Sequence, residues 1–209
     1  MLLSPLECLG LSHRVVMAPL TRVRANQRFA CGPTAVKYYA ERASQGGLLI
    51  TEGCPVCPEA QYEYAAGIYT PEQEEAWKAV VDEVHARGCK ISLQLWHPGR
   101  MIHSSWSKHP FLQSLGRPLP SVSCSATKPP GQTRTVDGTN APDTEARELS
   151  RADIARLVQD FEQAASAAKR CGFDFVEIHG AHGYLFDQVR FLSHIPKHAA
   201  ACTLSPHAT

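Results

Sequence analysis

Apolar residues along this chain fall into short continuous runs that alternate with longer stretches of helical spacing. A short continuous apolar run is typical of a strand buried on both faces, whereas a repeat of about three to four residues is typical of an amphipathic helix. The pattern predicts strands at residues 14–19, 48–53, 90–97 and 173–178, and helices at residues 34–44, 71–87 and 153–171.

Residue types at the helix ends support this interpretation. Thr70 and Ser150 stand at N-cap positions, and Asp153 takes the capping-box position of the last helix. Strands that alternate with helices favour a parallel sheet with right-handed crossovers. An open doubly wound sheet would need a glycine-rich phosphate turn after its first strand, where this chain has Pro19-Leu20-Thr21-Arg22. The predicted fold class is therefore α/β, of the TIM (β/α)8-barrel type, with about four βα units present.

Polar side chains follow each predicted strand where it ends. They are Thr21, Glu52, Gln94 with His97, and His179 with His182. In a barrel the carboxyl ends of the strands converge on one face, where active sites lie. The last strand runs directly into His179-Gly180-Ala181-His182-Gly183-Tyr184, so small residues separate two imidazoles and a phenol. The pattern predicts a site at this face.

Composition narrows the possible partners and surroundings. Lys and Arg number 21 against 20 for Asp and Glu, so the formal charge of +1 gives no electrostatic case for nucleic acid or a membrane surface. No apolar run approaches the ~18 residues of a membrane span, and the amino terminus lacks a signal-peptide pattern. A cytoplasmic protein is expected. Residues 98–148, rich in Pro, Ser and Gly, predict a long loop or lid.

Several residues also have plain structural interpretations. Cys54 and Cys57 form a Cys-x-x-Cys, but no second pair or suitably spaced histidine is evident, so reduced thiols are preferred and no metal is expected. Glu52 is expected to pair with a neighbouring cation, His97 to be a loop histidine, and Arg156 to lie on a solvated helix face.

The candidate site residues have alternatives of the same kind. His179 and His182 could form a metal pair, although no carboxylate stands near them in a ligand-like pattern. Tyr184 could be an ordinary half-buried aromatic residue. Thr21 and Gln94 could satisfy backbone groups at strand ends.

Four segments match one known family in order and spacing. They are residues 17–22, 49–53, 94–97 and 176–185. Through them the chain resembles the old yellow enzymes, the flavin-dependent ene-reductases that include the plant 12-oxophytodienoate reductases. The likeness covers roughly residues 1–188, as the amino-terminal part of such a barrel. It implies a (β/α)8 barrel that binds FMN non-covalently and uses NADPH or NADH to reduce an enone or enal.

The resemblance also implies roles by position. Five residues would contact the flavin: Pro19, Leu20, Thr21, Gly53 and Gln94. His179 and His182 would hold the substrate's carbonyl oxygen, Tyr184 would supply a proton, and Trp96 would line the pocket. The residue types suit this chemistry, because hydride addition to an enone builds negative charge on the carbonyl oxygen and two imidazole N–H groups can stabilise it. A phenol with its ordinary pKa near ~10 is neutral at working pH and can act as a general acid.

The likeness ends after Asp187-Gln188. Residues 189–209 show no strand–helix alternation and are expected to be a divergent, disordered tail, of the kind that a shifted frame or alternative splicing produces. The loops that bind phosphate after strands seven and eight of such barrels have no counterpart. An inactive truncated isoform or fragment is therefore the alternative function, and self-association through the unfinished barrel is expected.

Overall fold

The computed structural model describes residues 2–117 and 119–192. Four parallel strands form the main sheet in the order β1-β2-β3-β8: Val16–Met17, Leu48–Pro55, Lys90–Trp96 and Phe175–Ile178. Three helices connect them: α1 (Pro33–Ala40), α2 (Pro71–His85) and α4 (Arg151–Cys171). The apolar runs thus become neighbouring strands of one parallel sheet, in chain order.

Both predicted N-caps are confirmed. The Thr70 hydroxyl accepts from the Gln73 backbone N–H, and the Gln73 side chain accepts from the Thr70 N–H, which completes a capping box. Ser150 and Asp153 make the same reciprocal pair at the start of α4. These contacts fix where the two long helices begin, and therefore how they pack on the sheet.

The main core lies between the sheet and the long helices. Trp77 and Val80 of α2 are fully buried against Ile91 and Leu93 of β3. Small residues of α4, such as Ala168, allow that helix to approach closely. The apolar side chains on one face of the sheet are thus used for packing against the helices. The polar candidate residues lie at the strand ends.

An irregularity interrupts the pairing of β2 with β3. Ile50 pairs with Ser92, but Gly53 rather than residue 52 pairs with Gln94. One extra residue is therefore accommodated in β2, as in a β-bulge. The shift places Gly53 on the same face of the sheet as Gln94.

The segment between β3 and α4 holds several short elements. They are a 3-10 helix (Ser104–Lys108), α3 (Pro110–Ser114), and strands β4 (Val122–Ser123), β5 (Gln132–Arg134), β6 (Asn140–Pro142) and β7 (Arg147–Glu148). β5 and β6 form an antiparallel hairpin. Ile102, Trp106 and Leu112 of this segment form a second apolar cluster with Phe29.

The last described element is α5 (Leu185–Leu192). The first four residues of the segment expected to be a tail, 189–192, therefore belong to a helix, and residues 193–209 lie outside the described part of the chain. In the described sheet, β1 and β8 each have one neighbour. Val176 and Ile178 of β8 are 46% and 54% exposed, so this edge shows apolar side chains to solvent.

Candidate active site

The central strands align two candidate residues, Gly53 and Gln94, with a glutamate across the sheet. Gly53 is in register with Gln94, and Gln94 is in register with Glu177. The Gln94 side-chain amide donates to Glu177 Oε1 at 2.9 Å, and its backbone N–H donates to Thr51 Oγ1 at 3.0 Å. Gln94 is therefore held in one orientation at the carboxyl end of the sheet.

A cluster of aromatic rings stands beside this row. The ring centroids of His179 and Tyr184 are 4.8 Å apart, and those of His179 and His182 are 5.1 Å apart. Trp96 stacks on His179 with an interplanar angle of 26° and meets Tyr184 edge-on at 5.0 Å. Trp96 is buried, His179 and Tyr184 are half-buried, and His182 is exposed. The structure brings all four of these predicted residues together.

Gly53 is required by the indole of Trp96. A Cβ placed on Gly53 would lie 2.9 Å from one carbon of that indole and 3.0 Å from another, which is too close for real atoms. The bulge in β2 brings this glycine under the ring. A glycine predicted from the resemblance as a flavin contact thus has a packing role as well.

The remaining predicted residues lie at the other side of the same sheet end. Pro19, Leu20 and Thr21 follow β1, two strands away from β3 and three from β8. The backbone N–H of Arg22 donates to Glu52 Oε2 at 3.1 Å, which fixes this segment against the end of β2. Leu20 is 55% exposed and Thr21 is also exposed. Their side chains are therefore directed to open space and not into the core.

Glu52 lies beside the cationic residue Arg22. It accepts a hydrogen bond from the backbone N–H of this arginine. Burial raises the pKa of Glu52 to about 7, and the backbone N–H and the charge of Arg22, together with the backbone N–H groups of Val23 and Ala66, oppose that rise. The strand-end carboxyl is thus a group whose protonation changes near neutral pH.

Burial favours the neutral forms of His179 and Tyr184. Burial lowers the pKa of His179, the neighbouring His182 lowers it further, and Glu177 opposes both effects. Burial raises the pKa of Tyr184 above its ordinary value. The Ala181 backbone N–H donates to His179 Nδ1 at 3.4 Å, so the neutral His179 ring carries its proton on Nε2. The site therefore offers an imidazole N–H donor beside a protonated phenol.

Tyr62 is a site residue that the sequence does not reveal. Its ring lies 5.4 Å from that of Trp96, and burial raises its pKa to about 12. Tyr62 and Tyr184 share the lining of a cavity of about 330 Å³ with the β5–β6 hairpin. The hairpin belongs to the segment predicted as a lid. Because Tyr62 lies in a loop without an apolar period, only this long-range contact identifies it.

His97 and Arg156 both lie beside the buried carboxylate of Glu59. His97 stands in the loop directly after β3, as predicted, but its side chain is fully buried, with Nε2 3.7 Å from Glu59 Oε1. Arg156 does not lie on a solvated face, because its guanidinium is 2.8 Å from the same carboxylate oxygen. Burial alone would raise the pKa of Glu59, but its hydrogen-bonding partners His97 and Arg156 outweigh burial and lower that pKa.

Cys57 joins this buried group. Single ligand atoms of Cys57, Glu59 and His97 lie within 4.8 Å of one another, so the Cys-x-x-Cys does have a histidine nearby, through the fold and not through spacing. A metal ion fits poorly, because Arg156 already binds the carboxylate and His97 Nδ1 accepts from the Gly99 N–H, which leaves the proton on Nε2. Burial raises the pKa of the Cys57 thiol, which opposes the thiolate that a metal needs.

Within the part of the chain that the structure describes, no helix is both long and apolar enough to cross a membrane.

Comparison with known families gives a clear match. The sequence model of the NADH:flavin oxidoreductase / NADH oxidase family matches residues 4–198. Two similar curated proteins are 12-oxophytodienoate reductase 7 of Oryza sativa subsp. japonica, 42% identical over 183 residues, and 12-oxophytodienoate reductase 2 of Arabidopsis thaliana, 43% identical over 180 residues. The alignments take in 85% and 86% of this chain but only 44% and 46% of those relatives. The chain thus spans about half the length of the curated relatives it matches.

Solved structures agree with this result. The old yellow enzyme homologue from Zymomonas mobilis superposes with a TM-score of 0.76 at 41% identity, over 84% of this chain and 46% of that one. Morphinone reductase in complex with tetrahydroNAD also gives 0.76, at 42% identity, over 88% of this chain and 50% of that one. The expected barrel type is confirmed, with the described strands corresponding to about half of it.

Proposed function

Because the chain belongs to the NADH:flavin oxidoreductase / NADH oxidase family, we propose that it supplies the carbonyl-binding and proton-donating part of an FMN-dependent ene-reductase. The substrate class is an α,β-unsaturated carbonyl compound, and the reductant is NADPH or NADH. One observation carries the proposal: His179, His182 and Tyr184 form a single contact cluster at the carboxyl end of a parallel sheet.

The residues at the strand ends fit a flavin ring. Leu20 and Thr21 offer an exposed apolar side chain and a hydroxyl, Gln94 offers a fixed amide, and Gly53 pairs with Gln94 beneath the Trp96 indole. Together with Pro19 these residues would hold FMN, which supplies the hydride when bound. Such polar contacts adjust the electronic character of the ring, while the leucine and proline exclude water from it.

Side chains of this protein would bind the substrate and donate a proton to it. The Nε2–H of neutral His179 can donate to a carbonyl oxygen, and His182 lies close enough for its ring to share that oxygen. Two such donors would stabilise the negative charge that develops there. Tyr184 keeps its proton near neutral pH, because burial raises its pKa, and can transfer it to the α-carbon. Trp96 and Tyr62 would form the walls against which the apolar part of an enone packs.

The 209-residue chain by itself is expected to hold FMN weakly. Phosphate groups of barrel ligands usually lie on loops after strands seven and eight, and the described sheet has four strands. The exposed apolar edge at β8 also favours self-association of the isolated chain. The four-stranded sheet also favours the alternative function, a chain without activity of its own.

The test uses the purified chain with saturating FMN. Quenching of flavin fluorescence measures binding, and anaerobic reduction by NADPH followed by 2-cyclohexenone measures turnover. The proposal expects enone-dependent reoxidation that falls by about two orders of magnitude or more when both His179 and His182 are changed to alanine.

The control is Lys128→Ala, an exposed change in the segment after β3, which should leave both measurements unchanged. Bound flavin that reoxidises with oxygen but never with the enone would reject the substrate class. Absence of any quenching at saturating FMN would favour the inactive alternative.

A further inference from the structure

The loop that carries His182 and Tyr184 has an unfavourable backbone. His182 has φ +61° and Gly183 has φ +73°, so two consecutive residues occupy the left-handed region. A residue with a Cβ adopts this conformation only when its surroundings hold it there. The question is which contacts hold this peptide.

Two side chains near the start of α5 form hydrogen bonds with the backbone N–H and carbonyl groups of Gly183. The Gly183 N–H donates to Asp187 Oδ2 at 2.8 Å. The Gly183 carbonyl oxygen accepts from Gln188 Nε2 at 2.6 Å. Since both backbone groups of the left-handed glycine are satisfied by neighbouring side chains of one helical turn, the loop conformation depends on these two residues.

Gln188 also forms hydrogen bonds with three residues outside this loop. It is 2% exposed, and its amide nitrogen also donates to the Pro98 carbonyl oxygen at 3.0 Å. Its amide oxygen accepts from the Ser123 hydroxyl at 2.9 Å and from the Arg100 N–H at 3.3 Å. The two donors and two acceptor sites of the side chain are thereby all used, which fixes which end of the amide is nitrogen.

A glycine makes room for this contact. A Cβ on Gly99 would lie 2.1 Å from Gln188 Oε1, and Gly99 itself has φ +65°. The backbone after β3 therefore approaches Gln188 as closely as only glycine allows. The Leu185 N–H donates to the His97 carbonyl oxygen at 3.1 Å and closes the same junction.

We propose that Asp187 and Gln188 are positioning residues, which hold the two peptide groups of Gly183 so that the rings of His182 and Tyr184 lie against His179. The inference rests on the proposed function for its catalytic meaning, but the geometric claim stands without it. Because Gln188 also binds the segment that leads to the β5–β6 hairpin, it would couple the lid to the ring cluster.

The test is nuclear magnetic resonance of the chain without flavin, so that loss of activity and loss of positioning are separate results. Wild type should show cross-peaks between the rings of His179 and Tyr184, whose centroids are 4.8 Å apart. Gln188→Leu keeps the size of the side chain but none of its hydrogen bonds. It should broaden or remove those cross-peaks, while the distant His85 ring, which bonds Asp174, keeps its signals.

Gln73→Leu is the matched control. Gln73 is equally buried and makes several hydrogen bonds, but it lies at the start of α2. It should lower stability and leave the His179–Tyr184 cross-peaks intact. If Gln188→Leu does not fold, Asp187→Ala carries the same test, because it removes one hydrogen bond from a half-buried position. Unchanged ring cross-peaks in a folded Gln188→Leu or Asp187→Ala protein would overturn the proposal.

Discussion

Replacing Glu52 by glutamine should change how the stability of this protein depends on pH. Glu52 is 4% exposed at the end of β2, and burial raises its pKa from 4.5 to about 7. Between these two values the folded state binds a proton that the unfolded state releases. Stability contributed by this proton is therefore complete below about pH 4.5 and is lost as the pH rises through about 7.

The magnitude follows from the raised pKa. A tenfold change in proton affinity corresponds to about 1.4 kcal/mol, so the free energy of unfolding should fall by about 3 kcal/mol across this window because of Glu52 alone. Glu52→Gln cannot ionise and has no such dependence. Urea unfolding of both proteins between pH 5 and pH 8 should show the variant gaining on wild type by up to that amount.

Asp153→Asn is the control for this experiment. Hydrogen bonds from Arg147 and Ser150 lower the pKa of Asp153, so in the folded protein it stays ionised throughout the range tested. Its stabilising contribution is lost only as the pH falls through that lowered pKa. The difference between Asp153→Asn and wild type should therefore be constant from pH 5 to pH 8. A constant difference for Glu52→Gln as well would refute the assignment of a neutral, buried carboxyl at β2.

Three other changes test the packing and chemistry of the site. Gly53→Ala should lower the free energy of unfolding by about 1–3 kcal/mol, since its methyl group would meet the indole of Trp96, and urea titration followed by tryptophan fluorescence would measure this. Tyr184→Phe should slow enone-dependent flavin reoxidation by about 10²-fold or more in stopped-flow measurements, while near-ultraviolet circular dichroism shows the ring packing unchanged. Arg156→Ala should destabilise by about 3 kcal/mol, because it leaves the buried Glu59 carboxylate without its closest cation, whereas exposed Arg151→Ala should cost little.

Local patterns were sufficient to predict the framework. Continuous apolar runs located the strands, and the caps at Thr70 and Ser150 located the starts of α2 and α4, because these features depend on residues close together in sequence. The grouping of His179, His182 and Tyr184 was predictable for the same reason, since one short segment carries all three.

Contacts between distant segments escaped prediction. Tyr62 reaches Trp96 from a loop 34 residues earlier in the chain, and no spacing rule connects them. Arg156 finds Glu59 only because α4 packs beside the end of β2. The expectation of a solvated arginine was wrong for that reason. A polar position on a helix is predicted to be exposed when its partner belongs to a distant segment of the sequence.

The extra residue in β2 has a consequence for any length change in this strand. Removing one position between Ile50 and Gly53 would cancel the extra residue, and a regular ladder would still place Gly53 opposite Gln94. Adding one position there has a different effect: the strand must either absorb two extra residues or turn every residue that follows to the opposite face, because successive side chains alternate between the two faces. In the second case the indole of Trp96 would meet a residue with a side chain in place of glycine. We would expect a single-codon insertion here to harm the protein more than a single-codon deletion.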